Sequence, residues 1–361
     1  MKKKHSLLVV IFFMICCSFC SSKDIDNTIL AEPISINNYF PLLNADEWET
    51  TSFAALDWNE NELQPLFNFL KEKNSKSFII LHKSKIAVEK YFNSHTDISA
   101  WYWASAGKTL TTAVTGIANF EGALNINNKV SDYLGINWTS LSLEKENLIT
   151  CKNLLSMTTG LDDSFGNDVS AQNLIYKADA NERWAYHNAY VKLQDVIATA
   201  TTSNFNSYFN IKLKDKIGMT GLWRSSGDLN LYWSNSRSMA RFGLLVASNG
   251  KWKDSQIIPQ KFNKEATSSS QNINKSYGYL WWLNGKESYH LPNSQTEFSG
   301  SLIPNAPKDL LCALGKNDQK IYIVPSKDLV IIRMGEAAGT SNFGFSTFDV
   351  ELWRKINALI E

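Results

Sequence analysis

Strand-like sequence lies only at the two ends of this chain, and the stretch between them reads as helix and loop. Near the N-terminal end, Asn61 to Lys73 carries apolar residues at helical spacing (Leu63, Leu66, Phe67, Phe69, Leu70). Ser77 to Phe92 follows as two β-rich runs around Lys83-Ser84-Lys85. From Ala106 to about Gly250 helical patterns dominate, among them Ala189–Thr201, Asn204–Asp215 and Ser236–Ser248, the last stopped by Asn249-Gly250, with no strong strand between them. Strand-like runs return at Gly278–Leu283, Leu310–Leu314, Lys320–Val324 and Leu329–Met334, the final two joined by Pro325-Ser326-Lys327-Asp328. An amphipathic helix from about Thr347 to Ile360 closes the chain. The simplest assembly is α/β plus all-α: one antiparallel sheet built from both chain ends, flanked by the terminal helices, with an inserted helical subdomain. On this reading residues 45–361 form one domain. Its α/β part covers about 45–120 and 255–361, and its helical part about 121–254.

A chain of 361 residues with 44% hydrophobic content can bury a large core. Its 36 basic and 35 acidic residues nearly cancel, and no basic stripe interleaves with aromatics, so nucleic acid is not an expected partner. The N-terminus reads as a targeting segment. Met1-Lys2-Lys3-Lys4 supplies positive charge, and the apolar run Leu7 to Phe19 falls short of the roughly 20 residues that span a bilayer. Cys20 ends that run and is followed by Ser21-Ser22-Lys23-Asp24, which resembles the lipid-modified cysteine of bacterial lipoproteins. The expectation is a signal peptide over residues 1–20, lipidation at Cys20, a tether over 21–44, and an exported body that is periplasmic or held at the membrane by the lipid. Only Cys151 and Cys312 remain in the body, which gives no disulfide framework.

Ser105-Ala106-Gly107-Lys108 sits between Trp101-Tyr102-Trp103 and the small-residue run T-L-T-T-A-V-T-G-I-A-N. Residues three apart share a helix face, so Lys108 can reach Ser105 and take its proton, provided the amine is held neutral. The same spacing occurs at Ser142–Lys145 and Ser248–Lys251, but both lie in polar contexts where the lysine is expected to be solvated.

Further along come L-L-S-M-T-T-G-L (Leu154–Leu161), Tyr186-His187-Asn188, N-S-R-S-M-A-R-F-G-L-L (Asn235–Leu245), Y-G-Y-L-W-W-L (Tyr277–Leu283) and I-Y-I-V-P-S-K-D-L-V (Ile321–Val330). Together with S-A-G-K these resemble the serine β-lactamase and D-alanyl-D-alanine peptidase superfamily, in the branch holding class C β-lactamases, related esterases and 6-aminohexanoate-dimer hydrolase. The resemblance implies a β-lactamase-like fold and an acyl-enzyme on Ser105. Lys108 is then the base, and Tyr186 relays the proton to the leaving group. It also implies that Asn188 holds Lys108 and the substrate amide or ester, and that the backbone N–H groups of Ser105 and Lys316 form the oxyanion hole beside Gly315. Gly315 is read as permitting close approach of backbone to substrate. A phenol beside a cationic lysine is expected to shift toward ionisation, and a buried lysine toward neutrality.

The family's K-T-G or H-T-G triplet falls on Ala313-Leu314-Gly315, so the residue that meets a substrate carboxylate is replaced by Ala313, which weighs against penicillin-type substrates. Asp318 stands where the branch carries a glycine, leaving the Gly315–Gln319 turn geometry open. Trp281 and Trp282 alternate across a strand; one of them, taken as Trp281, is expected to wall the pocket while the other packs in the core. Asp162, Asp163 and Phe165 border the site without an assigned role. His187 lies between Tyr186 and Asn188 and is read as structural.

The five histidines show no metal-ligand spacing and G-x-S-x-G is absent, so neither metal nor cofactor is expected, and neither is a nucleophile elbow. The leading expectation is a carboxylesterase or amidase acting on a small ester, amide or peptide. The alternatives are a β-lactamase or D-amino-acid peptidase and, in another class, a non-catalytic binding lipoprotein with the same fold.

Overall fold

The computed structural model describes residues 39–44, 47–339 and 347–361. The expected signal segment, Cys20 and most of the expected tether lie outside the described residues.

Strands β1 (Ser75–His82) and β2 (Lys85–Tyr91) form the N-terminal hairpin. Its turn is Lys83-Ser84, both at positive φ, as a two-residue hairpin that follows the strand twist requires. A short strand, β3 (Trp101–Tyr102), precedes the segment that carries Ser105. In the middle of the chain β4 (Leu222–Ser226) and β5 (Leu229–Ser234) pair as a hairpin, and β6 (Lys251–Trp252) pairs with β7 (Ser255–Gln256). Near the C-terminal end come β8 (Trp282–Leu283), the paired β9 (Ser288–His290) and β10 (Glu297–Ser299), then β11 (Leu311–Gly315), β12 (Gln319–Val324) and β13 (Leu329–Gly335). The main sheet is six-stranded in the order β2-β1-β13-β12-β11-β8, and every pairing in it is antiparallel. The first and last parts of the chain therefore meet at the β1–β13 pairing, where Ile79 lies opposite Ile332.

The terminal helices Leu63–Glu72 and Thr347–Ile360 pack together, with Phe69 and Phe348 stacked at 5.5 Å. The helix Ser236–Ala247 lies against β12 and β13. It comes so close that a Cβ on Gly243 would sit 2.5 Å from Val330 Cγ1. The helix Lys108–Phe120 is buried from Lys108 to Ala118. Its threonines are tolerable there because their hydroxyls are bonded: Thr109 to the Ala106 carbonyl at 2.7 Å, Thr115 to that of Thr111 at 2.7 Å, and Thr112 to that of Tyr279 at 2.9 Å.

Three expectations need correction. The helical middle does contain strands: β4 and β5 lie within it and join β3, which precedes it, in a three-stranded sheet, with Trp101 opposite Ser234 and Trp233 opposite Leu222. Asn204–Asp215 is not one α-helix but Phe205–Phe209 followed by the π-helical turn Asn210–Lys214. The strand expected over Gly278–Leu283 is only Trp282–Leu283. Leu280 is at φ +59, and the Gly278 N–H turns back to the Trp281 carbonyl at 2.8 Å.

Candidate active site

Ser105 lies in the single 3₁₀ turn Ala104–Gly107, which runs directly into the buried Lys108–Phe120 helix. That junction places the Lys108 ammonium 2.9 Å from Ser105 Oγ and 2.9 Å from Asn188 Oδ1, donating to both. Lys108 is only 2% exposed. Two aromatic rings flank it, Tyr190 at 4.4 Å and Tyr186 at 4.9 Å from Nζ to the ring centre. No carboxylate offsets the loss of water, and burial alone pushes its pKa down from 10.5 to about 7. The decoy Lys145 goes the other way: its bond to Asp179, at 2.8 Å, raises its pKa, while the Ser142 hydroxyl merely caps a helix by accepting from the Lys145 N–H. Identical spacing thus yields a buried amine with a lowered pKa in one place and a solvated ion pair in the other.

Tyr186 is hydrogen-bonded to Ser105, but burial dominates and pushes the phenol up to about 12, with the Ser105 bond opposing the shift. This corrects the expectation of a phenol drawn toward ionisation. Lys108 is itself driven toward neutrality and supplies little field, so near neutral pH Tyr186 carries its proton and can pass one on only by giving and taking in one step.

Trp281 is not the pocket wall. It stacks on Phe242 of the Ser236–Ala247 helix at 6.2 Å, while Trp282 stacks on Tyr186 at 5.6 Å and meets Trp184 and Tyr277 edge-on. The alternation between the two tryptophans holds; the tight turn at Leu280 decides which of them faces Tyr186. Tyr190 was missed by sequence reasoning, and Trp282 was the tryptophan of the pair assigned to the core. The only signal for Tyr190 was its place two residues past Asn188.

His187 is buried, its two ring nitrogens have no hydrogen-bond partner among the described residues, and desolvation pushes its pKa down to about 4. Ser105 takes its hydrogen bond from Lys108, so a His187 triad is not assembled.

The third wall is the turn from β11 to β12. Gly315 faces the serine segment itself: a Cβ there would lie 2.4 Å from the Trp103 carbonyl oxygen and 3.0 Å from the Ala106 amide nitrogen. The close approach seen at Gly315 is to the chain's own backbone, where the turn that begins at Lys316 meets the segment that carries Ser105. Lys316 is exposed, with its side chain outward. Asn317 and Asp318 sit at φ +60 and +59, a region that Asn and Asp enter more readily than other non-glycine residues, so Asp318 adopts here a backbone conformation that glycine enters freely. The turn is bolted from behind. Gln319 Nε2 donates to the carbonyls of Lys316, Asn317 and Gly335, and buried Arg333 donates to those of Asn317 at 2.9 Å and Asp318 at 3.0 Å. The Asp318 carboxylate is buried and paired with Lys320 at 3.2 Å, and Lys320 also meets Asp349 at 2.9 Å. Two buried cations thus face two buried carboxylates, which is how the charges are accommodated.

A methyl group at position 315 has only backbone to push against. Gly315→Ala is expected to cost about 1–3 kcal/mol of stability and to displace the serine segment. The expected readouts are a lowered denaturation midpoint and a kcat reduced by more than tenfold; wild-type values for both would show that this contact is dispensable.

The loop after Leu154–Leu161 borders the site and is braced by Asp163 on Arg183 at 2.6 Å and by Asp162 on Lys177 at 3.3 Å. These are the positions of two of the three unassigned loop residues; Phe165 is exposed. Among the described residues no group of His, Cys, Asp or Glu is placed to hold a metal, and Cys151 and Cys312 are buried and unpaired.

The chain matches the family model for beta-lactamase over residues 72–345, and it belongs to that family. Solved structures share the fold at low identity. A Bacillus anthracis protein provisionally assigned as a 6-aminohexanoate-dimer hydrolase is 17% identical, with 87% of this chain and 89% of that one covered at a TM-score of 0.66. A Bacteroides dorei protein provisionally assigned as a beta-lactamase is 15% identical, with coverage of 84% and 99% and a TM-score of 0.65. EstCE1, described as a hydrolase with promiscuous acyltransferase activity, is 10% identical, with coverage of 82% and 97% and a TM-score of 0.62. No curated protein matches the sequence.

Proposed function

We propose that this chain is a serine hydrolase that forms an acyl-enzyme on Ser105 and cleaves a small ester or amide, in the manner of a carboxylesterase or amidase. The observation that carries the reading is the 2.9 Å contact between Ser105 Oγ and a buried Lys108 whose pKa is lowered to about 7. In the neutral form Lys108 takes the Ser105 proton as Oγ bonds to the substrate carbonyl carbon, and the carbonyl oxygen becomes an oxyanion facing the Ser105 and Lys316 amides. The proton then passes by way of Tyr186 to the leaving alcohol or amine as its bond to carbon breaks. Water, deprotonated by the same pair, releases the acid and returns Ser105 to its starting form. EstCE1, a hydrolase by its description, has the same fold, and buried Ala313 offers no cation to a substrate carboxylate, which favours esters and simple amides over penicillins.

The test is labelling by a fluorophosphonate, in which Ser105 Oγ bonds to phosphorus and fluoride leaves. A protonated Lys108 has no lone pair for the serine proton, so the labelling rate is expected to rise about tenfold per pH unit below pH 7 and to level off above it. Mass spectrometry should place the adduct on Ser105. An adduct elsewhere, no adduct, or a rate that is flat from pH 5 to 8 would overturn the reading; absence of any adduct would favour a binding protein.

A further inference from the structure

Asn188 uses both ends of its side-chain amide. Its Oδ1 accepts from Lys108 at 2.9 Å, while its Nδ2 donates to Asn167 Oδ1 at 2.8 Å and leans on the Gly166 carbonyl at 3.4 Å. We propose that Asn167 is a positioning residue: by accepting from Asn188 Nδ2 it fixes which end of that amide faces Lys108, and so where the lysine lone pair points. The proposal rests on the serine-hydrolase reading given above.

The two amide orientations are not equivalent for a base. With Oδ1 toward Lys108, the neutral amine spends an N–H on Asn188 and its lone pair stays available to Ser105. With Nδ2 toward Lys108, the amide donates into that lone pair, which ties up the base and also disfavours the ammonium. Nothing else in the Asn188 side chain selects between the two, because its oxygen and nitrogen ends have nearly the same shape. Selection comes from what sits at the far end, and there the described residues present two oxygens, those of Asn167 and Gly166.

The loop that carries Asn167 is held independently of that side chain. Asp163 is paired with Arg183, the Val169 N–H donates to Asp228 Oδ2 at 3.0 Å, and Asp168 accepts from Ser170 and Asn173. Gly166, just before it, has φ +63 and ψ −108, a conformation suited to glycine, which turns the chain so that position 167 meets Asn188. Asn167 itself is exposed, so its replacement leaves no cavity. The titratable groups around Lys108 are Tyr186 and Tyr190, both raised by burial, and His187, lowered to about 4. Of the carboxylates on the neighbouring loop, Asp162 and Asp163 are paired with Lys177 and Arg183, and Asp168 accepts from Ser170 and Asn173. Lys108 is thus the group near the serine whose titration falls around pH 7.

Two variants separate the proposal from general damage, each read as the pH profile of p-nitrophenyl acetate hydrolysis by the full chain. Asn167→Ala removes the shorter of the two acceptors, leaves only the Gly166 carbonyl at 3.4 Å, and so weakens the preference of the amide for one orientation. The plateau of kcat is expected to fall about fivefold, the worth of one hydrogen bond, with KM nearly unchanged and the acid limb moved below that of wild type. Asn167→Asp keeps the acceptor and adds a negative charge, so the plateau is expected within about twofold of wild type and the acid limb moves up. Limbs displaced in opposite directions support the proposal. Limbs displaced together, or Asn167→Ala with a wild-type profile, overturn it while leaving the hydrolase reading intact. A wild-type chain that neither turns over nor labels at Ser105 overturns both.

Discussion

Ser105→Ala is expected to lower kcat/KM for a short-chain p-nitrophenyl ester by about a thousandfold or more, which is the loss of at least about 4 kcal/mol of transition-state stabilisation. The size follows from the absence of a substitute. Once Oγ is gone, the polar groups left around the position are the Lys108 amine, the Asn188 amide and the Tyr186 phenol. An amine held at the end of a buried helix can still act on water, but water is not held where Ser105 was. His187 does not step in, since both of its ring nitrogens are enclosed without a partner. Because Ser105 is partly exposed, losing one hydroxyl opens no cavity, and the thermal midpoint is expected within about 2 °C of wild type. Activity that survives the substitution in a folded variant would move the nucleophile elsewhere and remove the basis for the acyl-enzyme. An inactive wild type would instead favour the binding-protein alternative.

How much of this was legible in the sequence depends on which force decided each feature. The sheet was readable because β1, β12 and β13 are continuous apolar runs buried on both faces, and only strands buried on both faces look like that at such short length. The β4–β5 hairpin was not, although Gly227-Asp228 marks its turn. Leu222, Arg224, Ser225 and Ser226 are exposed, so the strand shows no apolar stripe beyond Trp223. The Ser105–Lys108 spacing occurs at two other places in the chain, and what distinguishes it is burial, which is a property of the packed helix and not of four letters. The rise in the Tyr186 pKa went against expectation because the charge of Lys108 and the burial of the phenol act in opposite directions, and their balance is set by how tightly Trp282, Trp184 and Tyr277 close around the ring. Asp318 shows the converse. A residue that departs from the resemblance still takes a glycine-like backbone conformation, because Asp enters the left-handed region and its carboxylate has Lys320 to meet. Asn167 carries no motif at all; its contact with Asn188 is made by the path of a loop.

Lys108→Met is expected to abolish hydrolysis by about a thousandfold and, in the same molecule, to raise the thermal midpoint by several degrees. The two effects have one cause. Burial holds the Lys108 pKa at about 7 in the folded chain against 10.5 when exposed, so folding at pH 7 must either strip a proton from the amine or bury it charged. Linkage puts that cost at about 4 kcal/mol. The sign is that of a base with a lowered folded pKa. Between about 7 and 10.5 the unfolded chain binds more protons than the folded one, so this lysine destabilises the fold fully below pH 7 and ceases to do so as pH rises through 10.5. Methionine has similar length and no charge, and it fits among Tyr186, Tyr190 and the helix without a cavity. It gives up the bonds to Ser105 and Asn188, but both of those side chains are partly exposed and can turn to water. The gain in midpoint is therefore expected to be largest at pH 6 to 7 and to shrink toward pH 10, which calorimetry of the two proteins across that range would measure. A variant less stable than wild type at pH 6, or a difference that does not change with pH, would mean that Lys108 is not held neutral by burial. The origin of its basicity would then have to be sought in the bound substrate.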